Sequence, residues 1–435
     1  MVRRTFALDV HKRFAEVALS EDGRPARRWG RIATTPTELA SFAAQLGGED
    51  EGVVESTSIT WAVVDLLAAH AGRVVVSNPL RTRAIASAKV KTDKIDARVL
   101  ADLGAAEFLP EVWAPDAATR ALRRRVAHRS SLVKQRTALR NQIHAILARN
   151  LVELAASDLF GRRGRTLLEG VVLPAHELDQ VASALRLHDA LTGEIALAEE
   201  SLGQIALDQA DVRRLMTIPG VGPITALAIV GVIGDVSRFA SSRHLVGYLG
   251  LDPRVRQSGE RGARHGHISR AGQAHARGLL VEAAHAAIRT PGPLRAFHAR
   301  IKARRGSQIA LCATARKLTV VCWQLLSKQE DYRHAAATIT QRKLRRLQLM
   351  AHDQGPAIRL TGETTRRALE RRILEQAEHA YRAEVTARSG AGAPKRDATV
   401  SGPQGADDAR QANGPDNLRF STGSPAPRPS IRGRA

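Results

Sequence analysis

Apolar positions along this chain form short clustered runs over the first hundred residues and helix-like spacing thereafter. Residues 4–20, RTFALDVHKRFAEVALS, carry apolar clusters on either side of His11-Lys12-Arg13 and predict two short strands around a turn. GVVES at 52–56 predicts a buried strand, and RVVVS at 73–77 another, closed by Asn78-Pro79. The spacing over 59–71 between them is helical. Strands alternating with helices predict an α/β domain with a mixed sheet. Residues 117–150 are helical by pattern, with Leu122, Val126, Val133, Leu139, Ile143 and Leu147 on the apolar side. A second long helix is predicted over 178–212, and GRRGR at 161–165 reads as the turn between the two. Such a pair is either an antiparallel coiled-coil arm or two ordinary bundle helices. An all-helical block with Gly/Pro punctuation follows over 213–290, then helices over 306–328 and 340–385. From about Arg388 onward large apolar residues all but vanish, which predicts a disordered tail. These shifts place domain boundaries at 1–110, 111–212, 213–330, 331–387 and 388–435.

Charge sharpens that division. The 435 residues hold 66 Lys and Arg against 43 Asp and Glu, a net charge of +23. Residues 1–110 hold 15 basic and 14 acidic residues, so nearly all of the excess lies beyond them. The helix at 117–150 has nine Lys and Arg and no acid. A nearly neutral domain joined to a strongly basic remainder points to a polyanion partner, nucleic acid first. No run of 18 apolar residues marks a spanning helix, and the apolar stretch of MVRRTFALDVHKRF is short for a signal peptide. A cytoplasmic protein is expected. Cys312 and Cys322, in one helical segment, suit neither a disulfide scaffold nor a Cys-based zinc site.

The neutral domain holds the candidate chemistry. Asp9 ends a strand-like apolar run, where an acid is costly unless paired or liganded. Glu55 ends another run, and Asp93 and Asp96 share a helix face in KVKTDKIDARVLADL. Two strand carboxylates and a helical pair can converge on one or two Mg²⁺ ions, whose hard character suits oxygen ligands. Two such ions about 4 Å apart clamp the attacking and leaving oxygens of a phosphodiester. The plain alternative pairs Asp93 and Asp96 with Lys91, Lys94 and Arg98 on a solvated helix. Asp102 is set off the Asp93/Asp96 face and is left outside the set.

Two further segments suit nucleic acid. MTIPGVGPITA at 216–226 has the form of a helix-hairpin-helix, whose Gly220 and Gly222 present backbone N–H groups to a phosphate, or else of a plain interhelical turn. DPRVRQSGERGARHGHISRAG at 252–272 reads as a flexible basic loop with Arg254, Arg256, Arg261, Arg264 and Arg270. Its His265 and His267 read as solvated histidines or as metal ligands. Ser269 precedes a helix predicted from about Arg270. It is either an N-cap or a nucleophile at a helix N-terminus.

The order FALDVHK, VVES, KVKTDKIDARVLADL, IPGVGPITA, YLGLDPRVRQSG and HGHISRAGQAHAR resembles the Piv/MooV-type DEDD insertion-sequence transposases, the bridge-RNA-guided recombinases, over roughly 4–290. The resemblance implies an RNase H-like (RuvC-like) fold for 1–110, an all-α serine transposase domain, and Asp9, Glu55, Asp93 and Asp96 as Mg²⁺ ligands. It further implies Ser269 as the nucleophile of a covalent phosphoserine intermediate. The expected partners are donor and target DNA, a guide RNA from the element, and further copies of the chain in a homodimer or homotetramer that builds composite sites. The alternatives are a site-specific invertase of the same fold, a RuvC-like nuclease using metal-activated water with Ser269 only a cap, and a non-catalytic nucleic-acid-binding protein. No membrane partner is expected.

Overall fold

The computed structural model describes residues 4–85, 92–257, 264–352 and 363–390, and the chain divides into two compact units, Met1–Asp116 and Ala117–Ala435. In the first, β1 (Arg4–Val10), β2 (Phe14–Glu21) and β3 (Arg27–Ala33) form an antiparallel meander. After α1 (Pro36–Ala43), β4 (Glu51–Glu55) returns parallel to β1. Helix α2 (Thr60–Leu67) then crosses to β5 (Arg73–Ser77), which is parallel to β4. Helices α3 (Pro79–Ile85) and α4 (Asp93–Ala105) complete the unit. The sheet order β3-β2-β1-β4-β5 is that of the RNase H-like fold.

Alternation along the strands gives the sheet two apolar faces. Phe6, Leu8, Val10 and Val54 pack with Leu39 and Phe42 of α1 and Val63 and Leu67 of α2. Ala7, Ala18, Val53 and Val75 meet Ala97, Leu100 and Ala101 of α4. Small residues let α4 lie close to the sheet: a Cβ on Gly104 would stand 2.8 Å from Val53 and 3.0 Å from Thr5. The residue pattern predicted neither β3 nor α1. RRWGRIA reads as polar because β3 is the sheet's edge, and its Arg28 and Arg31 project to the buried Glu16 of β2.

The second unit is mostly helical. Helices α5 (Ala117–Arg149) and α7 (Ala175–Asp208) run antiparallel, since Arg129 reaches Glu199 at 3.0 Å while Arg149 reaches Glu177 at 2.7 Å. The GRRGR segment is not a turn. It forms the start of α6 (Arg162–Glu169), where Gly164 passes so close to the Asp158 and Leu159 backbone that no Cβ would fit. Helices α8 (Ala210–Met216), α9 (Pro223–Ile233) and α10 (Ser242–Tyr248) follow. The expectation of an all-helical block then fails. β6 (Pro253–Arg256) and β7 (Arg264–Ile268) make a two-stranded antiparallel ribbon: Arg254 and Arg256, which read as part of a flexible loop, flank Val255 at strand period, and Arg256 pairs with Arg264 across the ribbon. Beyond it lie α11 (Ala274–Ala287), α12 (Pro293–Arg305), α13 (Ser307–Lys328), α14 (Ala337–Met350) and α15 (Glu363–Gly390). The first residues of the predicted tail are thus helical to Gly390, and the rest lies outside the described residues.

The main core of this unit draws Leu122 and Val126 from α5, Leu202 and Ala206 from α7, and Leu347 from α14 around α9, α11 and α13. Helix α13 is long and apolar enough by composition to cross a bilayer, although polar residues such as Arg316 and Lys317 interrupt its apolar run. Its Ala315, Leu318 and Cys322 are core residues. Both cysteines are free.

Candidate functional site

Two sites emerge, one in each unit. In the first, Asp9 lies near the C-terminal end of β1 on the Ala7 face, and Glu55 ends β4 on the Val53 face. The pairing of Leu8 with Val54 sets these two carboxylates at the same level of adjacent parallel strands. Both face the side covered by α4, whose first turn supplies Asp93 and Asp96. That turn is fixed by Thr92, whose hydroxyl accepts from the Ile95 N–H, the usual reason for Thr before a helix. Asp102, further along α4, accepts the Ala26 N–H at 2.6 Å and so ties the helix to the meander.

Asp9 is buried, with 7% of its surface exposed. Burial pushes its carboxyl above the usual carboxylate range, and Asp93 and Asp96 push the same way while His11 opposes them. His11 was no part of the sequence-derived set. Its Nε2 stands 3.3 Å from Asp9 and 3.4 Å from Asp93, and the three offer ligand atoms within 4.8 Å of one another. The signal was its place two residues after Asp9: the chain turns there, with the His11 N–H donating to Phe14, and the ring swings back over the carboxylate. Glu16, opposite Asp9 on β2, is engaged instead by Arg31 and Arg28. Burial raises its carboxyl, but the two guanidiniums outweigh that and hold it below the usual range. The remaining set, mostly carboxylate oxygens gathered against desolvation and mutual repulsion, fits a divalent cation.

In the second unit, Ser269 is not a helix cap, since α11 starts only at Ala274. It directly follows β7, and its Oγ donates to Asp252 Oδ1 at 2.6 Å. Asp252 was also missed, because the ribbon hairpin separates it from Ser269 by 17 positions. Arg270, at φ 56°, turns the chain away from the strand, and its N–H donates to Gly250. Arg254 Nη2 donates to the Ser269 carbonyl at 3.1 Å. Burial pulls the Arg316 guanidinium of α13 below its ordinary value, while Asp252 draws it up and Arg243 pushes it down. Arg270 also acts on Cys312, one turn earlier on α13, opposing the burial that raises that thiol.

Arg256 and Arg264 are exposed on the ribbon and opposite each other. Arg261 and the His265 side chain lie outside the described residues, and His267 is half-buried on β7. Gly220 and Gly222 do lie between two helices, α8 and α9. Gly220 has φ 81°, and a Cβ there would stand 2.2 Å from the Ala283 carbonyl of α11, so packing alone demands glycine. Gly222 caps α9 with open space around it.

An RNase H-like sheet with clustered carboxylates, followed by a mostly helical unit, defines the class of DEDD transposases. A model of such transposases, described simply as "Transposase", matches residues 6–150, and that of the "Transposase IS116/IS110/IS902 family" matches 212–299. The chain is 31% identical to the transposase for insertion sequence element IS1111A of Coxiella burnetii, over 57% of this chain and 69% of the relative. It is 30% identical to a probable family 20 transposase of Pseudomonas aeruginosa, over 56% and 74%. It is 29% identical to a pilin gene-inverting protein of Moraxella lacunata, over 52% and 64%. The chain belongs to the IS110/IS116/IS902 family of insertion-sequence transposases.

Proposed function

We propose that this transposase is of the Piv/MooV type, cutting and rejoining DNA through a covalent phosphoserine intermediate in a Mg²⁺-dependent reaction whose target is chosen by an RNA from the element. The observation that carries the metal half is Asp9, buried and crowded by Asp93 and Asp96 with His11 in opposition. Asp9, Glu55, Asp93 and Asp96 would hold the ion. A Mg²⁺ ion held there would supply neutralisation of the charge that develops on phosphoryl oxygens. In the chain's own chemistry, Ser269 Oγ attacks phosphorus, a sugar oxygen leaves, and the DNA stays linked through a serine phosphoester. Attack by a hydroxyl of a second DNA end restores a phosphodiester and frees the serine. Bond energy is conserved throughout, in keeping with a sequence that lacks a Walker-type phosphate loop. Arg254, Arg256, Arg261, Arg264 and Arg270, with the Gly220–Gly222 turn, would grip the backbone.

Inversion of a DNA segment is the second reading, favoured by the similarity to the pilin gene-inverting protein, and it uses the same chemistry. The test is a search for protein covalently joined to DNA. The chain is expressed together with the DNA flanking its gene, as wild type and as Ser269→Ala. An adduct in the wild type alone supports the serine route. Cleavage without an adduct in either form leaves a nuclease acting through water.

A further inference from the structure

We propose that Asp252 is the acceptor for the Ser269 hydroxyl proton, so that the base of the β6–β7 ribbon is an Asp–Ser catalytic pair. The inference rests on Ser269 being the nucleophile. Its first support is the contact itself, a 2.6 Å hydrogen bond from Oγ to the carboxylate. Its second is how the contact is made. Pro253 pairs with Ile268, so Asp252 and Ser269 are the next residues in the antiparallel register, and the Ser269 N–H donates to the Asp252 carbonyl at 2.8 Å. Cross-strand neighbours in register project to one side of a ribbon. The geometry is therefore set by the backbone.

The chain on either side is held just as firmly. Gly250, at φ 66°, lies against Ala271, and Gly272, at φ 65°, against Tyr248, where a Cβ would stand 2.0 Å from the carbonyl. Arg277 Nη1 donates to the carbonyls of Leu249 and Ala271 at 3.1 and 3.0 Å. A loop fixed this way pre-positions a reacting atom. Both side chains are only half-buried, leaving the hydroxyl within reach of a phosphodiester. Arg316 is half-buried within electrostatic range of Asp252 and has no hydrogen-bond partner among the described residues. Its N–H groups are available to the non-bridging oxygens of a phosphate brought to Ser269.

The step balances without a co-reactant. As the Oγ–P bond forms, the Oγ proton passes to Asp252 Oδ1, and the electron pair of the breaking P–O bond leaves on the sugar oxygen, which takes a proton from solvent. On rejoining, the incoming DNA hydroxyl gives up its proton to solvent, and Asp252 returns the stored proton to the departing serine oxygen.

The test uses the full chain expressed with the DNA that flanks its gene. DNA-linked protein is measured under denaturing conditions, and the linked residue is located by mass spectrometry. Asp252→Asn keeps an oxygen that accepts from Ser269 but cannot take the proton. With melting temperature and duplex-DNA binding near wild type, it is expected to lower the adduct about 10²-fold or more. An adduct within about threefold of wild type, with none in Ser269→Ala, would overturn the role of Asp252 and leave the nucleophile in place. No adduct at Ser269 in the wild type would overturn the serine reading, and this inference with it. If Asp252→Asn does not fold, Asp252→Ser, whose hydroxyl still accepts a hydrogen bond, carries the same expectation.

Discussion

As a proposed metal ligand, Asp9 carries a cost in stability. A carboxylate that burial and two acidic neighbours destabilise in the folded chain weakens the metal-free protein for as long as it is ionised. Asp9→Asn is therefore expected to raise the melting temperature without divalent ions. Added Mg²⁺ should raise that of the wild type and leave the variant nearly unmoved, because ligand binding stabilises only the form that binds it. The same substitution should lower recombination roughly 10³-fold, the loss of about 4 kcal/mol of transition-state stabilisation. Thermal unfolding with and without the ion, beside a recombination assay, checks both. An Asp9→Asn variant less stable without metal would show that His11 compensates the charge by itself. This residue could be singled out in the sequence because an acid closing a strand-like apolar run is anomalous under any structural reading. His11 and Asp252 could not. Each becomes significant only through a turn or a strand register that brings it back onto a partner.

At the scale of elements, the two glycines of the turn between α8 and α9 differ in what packing demands of them. Gly220→Ala forces a Cβ into the α11 backbone at positive φ, and a loss of about 2–4 kcal/mol is expected in denaturant unfolding. Gly222→Ala meets open space at a helix cap and should cost about 1 kcal/mol or less, the difference between glycine and alanine as N-caps. Gly222 is thus the position at which a change in DNA binding can be read without a change in fold. The same turn is held from α14, where Lys343 Nζ donates to the carbonyls of Met216 and Ile218 at 2.7 and 2.6 Å. Burial pulls that lysine from 10.5 down to about 8. Between those values the unfolded chain holds a proton that the folded chain has released, so stability should rise as pH increases from about 8 to 10.5. Lys343→Met should remove that rise in denaturant midpoints taken across the window. The long helices and the inner strands were legible because their apolar periods are unbroken. β3, the ribbon and α6 were not, because edge strands and arginine-rich segments carry the same polar composition as loops.

For the whole molecule the governing quantity is where the charge lies. Nearly all of the +23 net charge belongs to residues beyond 110, while the carboxylate site occupies a domain close to neutrality. On the proposed reading, this division along the sequence puts the cation-binding carboxylates in a different domain from the basic residues that would meet phosphates. Affinity for duplex DNA of arbitrary sequence should then be dominated by counterion release, with log K falling by about 0.9 per log unit of salt for each phosphate engaged. The ribbon arginines present the sharpest case. Arg254, Arg256 and Arg264 are exposed on two short strands, a form that fits a DNA groove or tracks a backbone. Replacing all three by Gln should flatten the salt slope by about 2 to 3 and weaken binding equally across sequences. Binding isotherms between about 50 and 200 mM salt measure this directly. A weakening confined to particular sequences, with the slope unchanged, would make these side chains readers of base edges instead. Recognition would then be shared between the protein and any guide.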